Sequence, residues 1–410
     1  MQTNTKLFSP LKIRGVTIPN RIVLSPLCMY SANDGVATDW QFAHLSTFAR
    51  GKTGLIFAEA TAVEARGRIT PGCLGIWTDE QAEALIPFTS FIKKMGCVPG
   101  MQLAHAGRKA GTKTPWNGGT PLDDADIKAG NPPWDIIAPS DIPVAEGWVV
   151  PKAMDENDIK EIIKAFSDAA KRAVKAGFKV IEIHSAHGYL MHSFLSPLAN
   201  KRNDSYGGDI HGRMRLLLEV VDAVRSVIPE DMPLFCRISA VDGIENGWEI
   251  EDSVILSEKL GEQGVDVIDC SAGGISGAPL FRVNKSGKPM KTNMDRGPGF
   301  QVPFAEKVKK GSGMKTMAVG VIVDPHQAEQ VLQNDKADLI AIGRELMYNP
   351  FWSLHAAQAL EADPEFEMWP DQYKWGVNRR GKLAEFKGIR DEPIEEKMAV
   401  SHISDVYKQK

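Results

Sequence analysis

Two histidines and a tyrosine leave the end of one apolar run within six residues: His184, His187 and Tyr189 follow Val180-Ile181-Glu182-Ile183. That spacing can aim two imidazole N–H groups at one oxygen and keep a phenol nearby as a proton source. Buried imidazole and phenol groups demand hydrogen-bond partners, so a core strand gains nothing structural from carrying them. Taken alone, the pair also suits two other roles, metal ligation and satisfied core positions. The residues around it must separate these.

The elements that position the trio recur along the chain. Eight short apolar, β-branched runs lie at Arg21–Leu27, Gly54–Val63, Val98–His105, Val180–Ala186, Leu234–Ala240, Asp266–Ser271, Thr316–Ile322 and Asp338–Arg344. Helical periodicity separates them, most clearly in Ile159, Ile162, Ile163, Phe166, Ala169, Ala170, Ala173 and Val174, with Asp155 as N-cap and Gly177 as stop. Further helices are expected over about 211–228, 251–263 and 325–334. Near-continuous apolar strands alternating with amphipathic helices predict a parallel sheet buried on both faces. Eight such units predict an α/β fold, a single closed (β/α)8 TIM barrel with long βα loops, over residues 1–360, and a C-terminal extension over 361–410 available for a subunit contact. An open doubly wound sheet is the alternative, but the Gly-x-Gly-x-x-Gly turn expected after its first strand is missing. Two stretches without sustained period, 111–150 and 272–300, follow strands and so belong over the barrel mouth.

The predicted strand ends are chemically unusual. The first ends in Ser25-Pro26-Leu27-Cys28-Met29-Tyr30; the second contains Glu59-Ala60-Thr61; the third carries Gln102 and His105-Ala106-Gly107-Arg108. Arg237 lies within the fifth, where a guanidinium needs an anionic partner that a reduced cofactor ring would supply. The seventh and eighth end in Gly320-Val321 and Gly343-Arg344, where glycine N–H groups and an arginine suit a phosphate. Gln102 offers an amide to a heterocycle edge. No strand ends in the lysine of a Schiff-base aldolase, and the His-x-His and carboxylate cluster of a metallohydrolase is missing. A dry, phosphate-anchored heterocycle resembling a bound flavin fits best, with no metal.

Composition sets the outer bounds. The 410 residues are 43% hydrophobic and 24% charged with a net charge of −4, which speaks against a nucleic-acid binder. No run approaches a membrane span, and the first eight residues lack the apolar core of a secretory signal. Cys28, Cys73, Cys97, Cys236 and Cys270 are scattered singly, which suits a reducing cytoplasm. A cytoplasmic location is expected.

At these residues the chain resembles the Old Yellow Enzyme family of FMN-dependent ene-reductases, over roughly residues 6–360. The resemblance rests on Leu7-Phe8-Ser9-Pro10-Leu11, Asn20-Arg21-Ile22-Val23, Gln102 to Arg108, and above all the run from Glu182 to Gly208 with Leu195-Ser196-Pro197, Asn200, Arg202, Asp204 and Tyr206-Gly207-Gly208. Cys28 followed by Tyr30 is similar to the thermophilic-like branch. The resemblance implies that Ser25, Pro26, Cys28, Ala60, Gln102, His184 and Arg237 bind FMN, with Gly320, Val321, Gly343 and Arg344 at its phosphate. It implies that Tyr30, His184, His187 and Tyr189 bind substrate, the histidines holding a carbonyl oxygen and Tyr189 giving a proton to Cα. The implied reaction is reduction of the activated C=C bond of an enone or enal, with NAD(P)H as transient reductant in a ping-pong cycle and with no nucleic-acid or membrane partner.

A homo-oligomer, in the simplest case a dimer, is expected as well. The branch carries a Gln-Tyr-x-Arg motif whose arginine enters a neighbouring subunit's site. Here the stretch is Gln372-Tyr373-Lys374-Trp375, which puts Trp375 at the arginine's position. Two alternatives share the scaffold: a flavoenzyme acting on nitro compounds or in a natural-product redox step, and a flavin-binding redox sensor.

Overall fold

The computed structural model describes residues 5–276 and 296–382. Gly277 and Gly287 of the glycine-rich stretch and the tail beyond residue 382 lie outside the described residues. Eight parallel strands close into a barrel in sequence order: β1 Ile22–Leu24, β2 Leu55–Ala62, β3 Val98–Ala104, β4 Val180–Ser185, β5 Leu234–Ser239, β6 Val267–Ser271, β7 Lys315–Ala318 and β8 Leu339–Ile342. Each falls within, or one residue outside, the run that predicts it. Outside the strands lie α1 Asp39–Arg50, α2 Ile86–Lys94, α3 Glu156–Lys175, α4 Ile210–Arg225, α5 Ile250–Glu262, α6 Val302–Ser312, α7 Pro325–Gln333 and α8 Trp352–Ala359. The expected (β/α)8 architecture is the observed one.

Helix α3 shows how local sequence sets these elements. The Asp155 side chain accepts from the N–H groups of Asn157 and Asp158, and Gly177 just past the end takes φ +91°, which a glycine adopts freely. Its buried face includes Ile159, Ile162, Phe166, Ala169, Ala170 and Ala173 of the periodic set, with Ile163 and Val174 half-buried at its edges.

The barrel interior is layered. Its lower part is apolar: Val23, Leu55, Phe57, Val98, Val180, Phe235, Val267, Met317 and Leu339 pack together. Ile13 and Ile18, from an antiparallel hairpin of Leu11–Ile13 and Val16–Ile18, join this cluster. One step up each central strand the interior turns polar. Register places Gln102 opposite Glu182, His184 opposite Arg237, and Arg237 opposite Asp269. Between β2 and β3 the register shifts between Ala58 and Ala60, so Ala60, rather than Glu59, stands opposite Gln102. Such a bulge re-aims the side chains that follow it.

The stretch from 111 to 150 carries more structure than its irregular sequence predicts. It includes a single turn at Pro115–Asn117 and a short helix at Asp124–Lys128, and Ile137–Ala138 pairs with Lys152–Ala153. The local reason is backbone closure: Lys113 N–H bonds the Thr120 carbonyl and Leu122 N–H bonds that of Gly111. After the barrel a last helix, α9 Asp371–Lys382, sits against it. The Tyr373 hydroxyl meets Arg50 Nη1 at 2.7 Å, and Trp369 stacks on Phe351.

Candidate active site

The trio that opens the sequence argument comes together at the end of β4. The rings of His184 and His187 have centroids 5.2 Å apart, and those of His184 and Tyr189 are 5.1 Å apart. Three backbone features aim them. His187 takes φ +61°, an uncommon conformation for a residue with a Cβ, at the turn that leaves β4. Its N–H is held by Ser239 Oγ at 2.9 Å, and its Nε2 lies 2.7 Å from Ser271 Oγ, which ties β4 to β5 and β6. Gly188 packs so closely on the loop after β6 that a Cβ there would lie 2.3 Å from the Gly274 carbonyl oxygen.

Burial, and then the nearby Arg237, push both imidazoles well below their ordinary range. Each therefore stays neutral and keeps one N–H to donate. His184 Nδ1 is buried without a hydrogen-bond partner in the chain. Burial raises the Tyr189 phenol, which keeps its proton until a base of sufficient strength meets it. Tyr30 stands nearby at φ +50°, its phenol beside the Cys28 thiol, and burial raises both groups.

Beneath this constellation lies the polar layer of the barrel. Gln102 Nε2 donates to Glu182 Oε1 at 2.8 Å. Arg237 Nε is 3.1 Å from Asp269 Oδ2, though off the direction of a hydrogen bond. The anionic partner that the sequence argument sought for Arg237 in a cofactor thus already exists within the chain. Burial raises Glu182, and the neighbouring Asp269 raises it further; burial likewise raises Asp269, against the pull of Arg237. Both carboxyls thus face the one Arg237 guanidinium in the same buried layer.

The remaining sequence-predicted residues cluster at the same end. Ser25 follows β1, its N–H bonded to the Ile342 carbonyl of β8, and its Oγ is buried without a partner. Gly343 adjoins it: a Cβ there would lie 3.9 Å from that of Ser25 and 3.4 Å from Leu27. Just past neighbouring β7, Gly320 has φ +115° and Val321 φ +51°, and both of their carbonyls accept from Gly299 N–H. Arg344 is exposed at the start of a short helix, and Ala60 is buried opposite Gln102. The structure brings Ser25, Ala60, Gln102, His184, His187, Tyr189 and Arg237 to one end of the barrel, with the two glycine turns side by side. Trp375 lies apart from them on α9, two-thirds exposed and beside Arg379. Cys236 and Cys270 are buried in the core, as packing residues would be, and all five cysteines are free.

Sequence reasoning missed three supports. Lys109, just past the Gln102–Arg108 motif, donates to the His187 carbonyl at 2.7 Å and to that of Gly274, and lies 5.7 Å from the Tyr189 ring centroid. Burial, with Arg108 adding to it, lowers its amine to about 7. His192 Nδ1 accepts from Gly188 N–H at 2.8 Å while its Nε2 lies 2.9 Å from Asp242 Oδ1, so this buried pair supports the loop between His187 and Tyr189. Asp242 stays below its usual range despite burial because His192, Ser196 and the Trp248 N–H all face it. Glu59, displaced by the bulge, accepts from Met29 N–H at 3.1 Å and so fixes the segment between Cys28 and Tyr30. Lys109 adjoins the Gln102–Arg108 segment, and Glu59 stands in the quoted Glu59-Ala60-Thr61 with no role assigned to it; those positions are the signals that could have found them.

A closed (β/α)8 barrel with glycine turns after β7 and β8 and a neutral His–His–Tyr set after β4 defines a barrel oxidoreductase built for a flavin. The chain belongs to the NADH:flavin oxidoreductase / NADH oxidase family, whose model matches residues 6–363, and is of the Old Yellow Enzyme type. It is 46% identical over 358 residues to an NADPH dehydrogenase of Geobacillus sp., covering 87% of this chain and 95% of the relative. Among solved structures it resembles morphinone reductase in complex with tetrahydroNAD, with 25% identity, a TM-score of 0.68, and coverage of 88% of this chain and 92% of the other. An Old Yellow Enzyme homologue of Zymomonas mobilis matches with 25% identity, a TM-score of 0.66, and coverage of 84% and 90%. The protein is an NAD(P)H-dependent oxidoreductase with FMN as cofactor. Its own residues fit that group: unpartnered buried atoms at Ser25 and His184, a buried arginine and a buried amide in the polar layer (Arg237 and Gln102), and glycine turns after neighbouring strands. No helix among the described residues is long and apolar enough to cross a membrane.

Proposed function

We propose that the protein reduces the activated C=C bond of α,β-unsaturated carbonyl compounds. The observation that carries this reading is the neutral His184–His187 pair with Tyr189 beside it. Two imidazole N–H donors at the end of β4 hold the substrate's carbonyl oxygen and stabilise the enolate-like charge that grows there. Tyr189, whose phenol stays protonated, supplies the proton that Cα needs. Tyr30 lines the pocket across from Tyr189. Ser25, Pro26, Cys28, Ala60, Gln102 and Arg237 hold the FMN ring, and Gly320, Val321, Gly343 and Arg344 hold its phosphate. The chemistry FMN supplies when bound is hydride transfer, from NAD(P)H in one half-cycle and to the alkene's β-carbon in the other. The Arg237 charge, with Asp269 and Glu182 beneath it, sets the field around the ring.

An anaerobic titration followed between 350 and 550 nm tests this. NADPH bleaches the yellow holoenzyme, and 2-cyclohexenone restores the colour. Bleaching without recovery removes the enone from the reading. Replacing His187 by Ala retains FMN and abolishes recovery, and undiminished turnover in that variant sinks the assignment. Tyr189→Phe slows recovery by about 10²–10⁴-fold, the usual worth of a positioned proton donor.

A further inference from the structure

We infer that Trp116 is a specificity-determining residue: with Tyr30 it forms the outer wall of the substrate pocket and selects enones that carry a planar aryl group beyond the alkene. The inference rests on the enone reading above, which places Tyr30 in the pocket. Trp116 sits on the Pro115–Asn117 turn, 67% exposed, and its ring meets that of Tyr30 edge-on at 5.9 Å and 62°. Tyr30 in turn lies beside Cys28 and Tyr189, so the aromatic series runs outward from the reacting centre.

The turn is held in place. Asn117 N–H and Gly119 N–H both bond the Thr114 carbonyl, Lys113 N–H bonds that of Thr120, and Lys113 Nζ pairs with Asp123 at 2.7 Å. The exposed indole thus presents an open aromatic face next to the Tyr30 ring. An aryl group resting on the indole gains an aromatic contact that a cyclohexenone ring cannot make.

The test compares benzylideneacetone with 2-cyclohexenone on the holoenzyme and on Trp116→Ala and Trp116→Phe. Trp116→Ala lowers the ratio of the two kcat/KM values, aryl over cyclic, by about tenfold, and Trp116→Phe keeps most of it. An unchanged ratio, including an equal fall with both substrates, overturns the inference. A second readout needs no turnover. Phenol and 4-phenylphenol offer the histidines an oxygen without an alkene, and their affinities follow from the change in flavin absorbance. Trp116→Ala weakens 4-phenylphenol relative to phenol; equal weakening overturns the wall. A wild-type enzyme that reduces neither enone yet shows this phenol selectivity would retire the enone reading while keeping the aromatic wall.

Discussion

Chemistry at this site depends on residues kept in unusual protonation states by burial, and Glu59 offers the most direct test. Burial pushes its carboxyl up to about 7 from an ordinary 4.5, despite the Met29 N–H and Gln41 contacts that favour the charged form. Between those two values the folded chain holds a proton that the unfolded chain has released. The stabilising contribution is therefore fully present below pH 4.5 and is lost as pH rises through 7, a change on the order of 3 kcal/mol. Urea unfolding of the holoenzyme at pH 4.5 and 7.5 should show this fall, and Glu59→Gln should flatten it by a similar amount. A variant with the same pH slope as the wild type places the titration elsewhere. His184 and His187 behave in the opposite sense: burial and Arg237 hold them neutral through the working range, so their N–H donors do not come and go with pH.

Elements matter here for where they begin and end. Helix α1 begins at a capping box in which the Thr38 hydroxyl receives Trp40 N–H and also meets the Ser31 carbonyl at 3.0 Å. That cap fastens the helix to the segment carrying Tyr30. Thr38→Ala should cost about 1 kcal/mol, measured as a lower urea midpoint, and Thr38→Ser should restore most of it. A full-strength Ala variant would mean the helix start is held by Gln41 alone. The bulge in β2 is the other decisive boundary. It sends Glu59 toward Met29 and leaves the small Ala60 opposite Gln102, so that a ring can lie where a glutamate side chain would otherwise project.

Across the whole molecule the barrel divides its labour by height. Apolar side chains fill the lower interior and polar ones the upper, so stability and chemistry occupy different layers of the same eight strands. Phe235 stands in the lower layer, fully buried, with its ring centroid 6.0 Å from that of Phe57. Phe235→Ala should destabilise the fold by about 3–5 kcal/mol while the bleaching of bound FMN by NADPH persists at low temperature. Calorimetry together with the anaerobic titration checks both parts. Loss of flavin chemistry without loss of stability would show that the layers are not separable. Two residues above Phe235 on the same strand, Arg237 belongs to the other layer, and its burial is tolerable because Asp269 and Glu182 share the same shell.

Much of this was legible in the chain itself. Near-continuous apolar runs and period-3.6 patterns gave the eight strands and the principal helices, because a strand covered on both faces is apolar throughout and a helix must bury one face whatever its neighbours are. Residue type and proximity gave His184, His187 and Tyr189, since all three lie on one local segment. The partners of distant origin were not legible: Asp269 beside Arg237, Lys109 under the carbonyls of His187 and Gly274, Asp242 behind His192, and Trp116 against Tyr30. Such pairs depend on how the barrel closes and how its loops fold back, and no local propensity encodes that register. The Glu59 bulge belongs with them, because one extra residue in a strand changes which side chains face inward and leaves hardly a trace in composition. Local sequence thus determined which groups were available, and only tertiary closure decided which of them met.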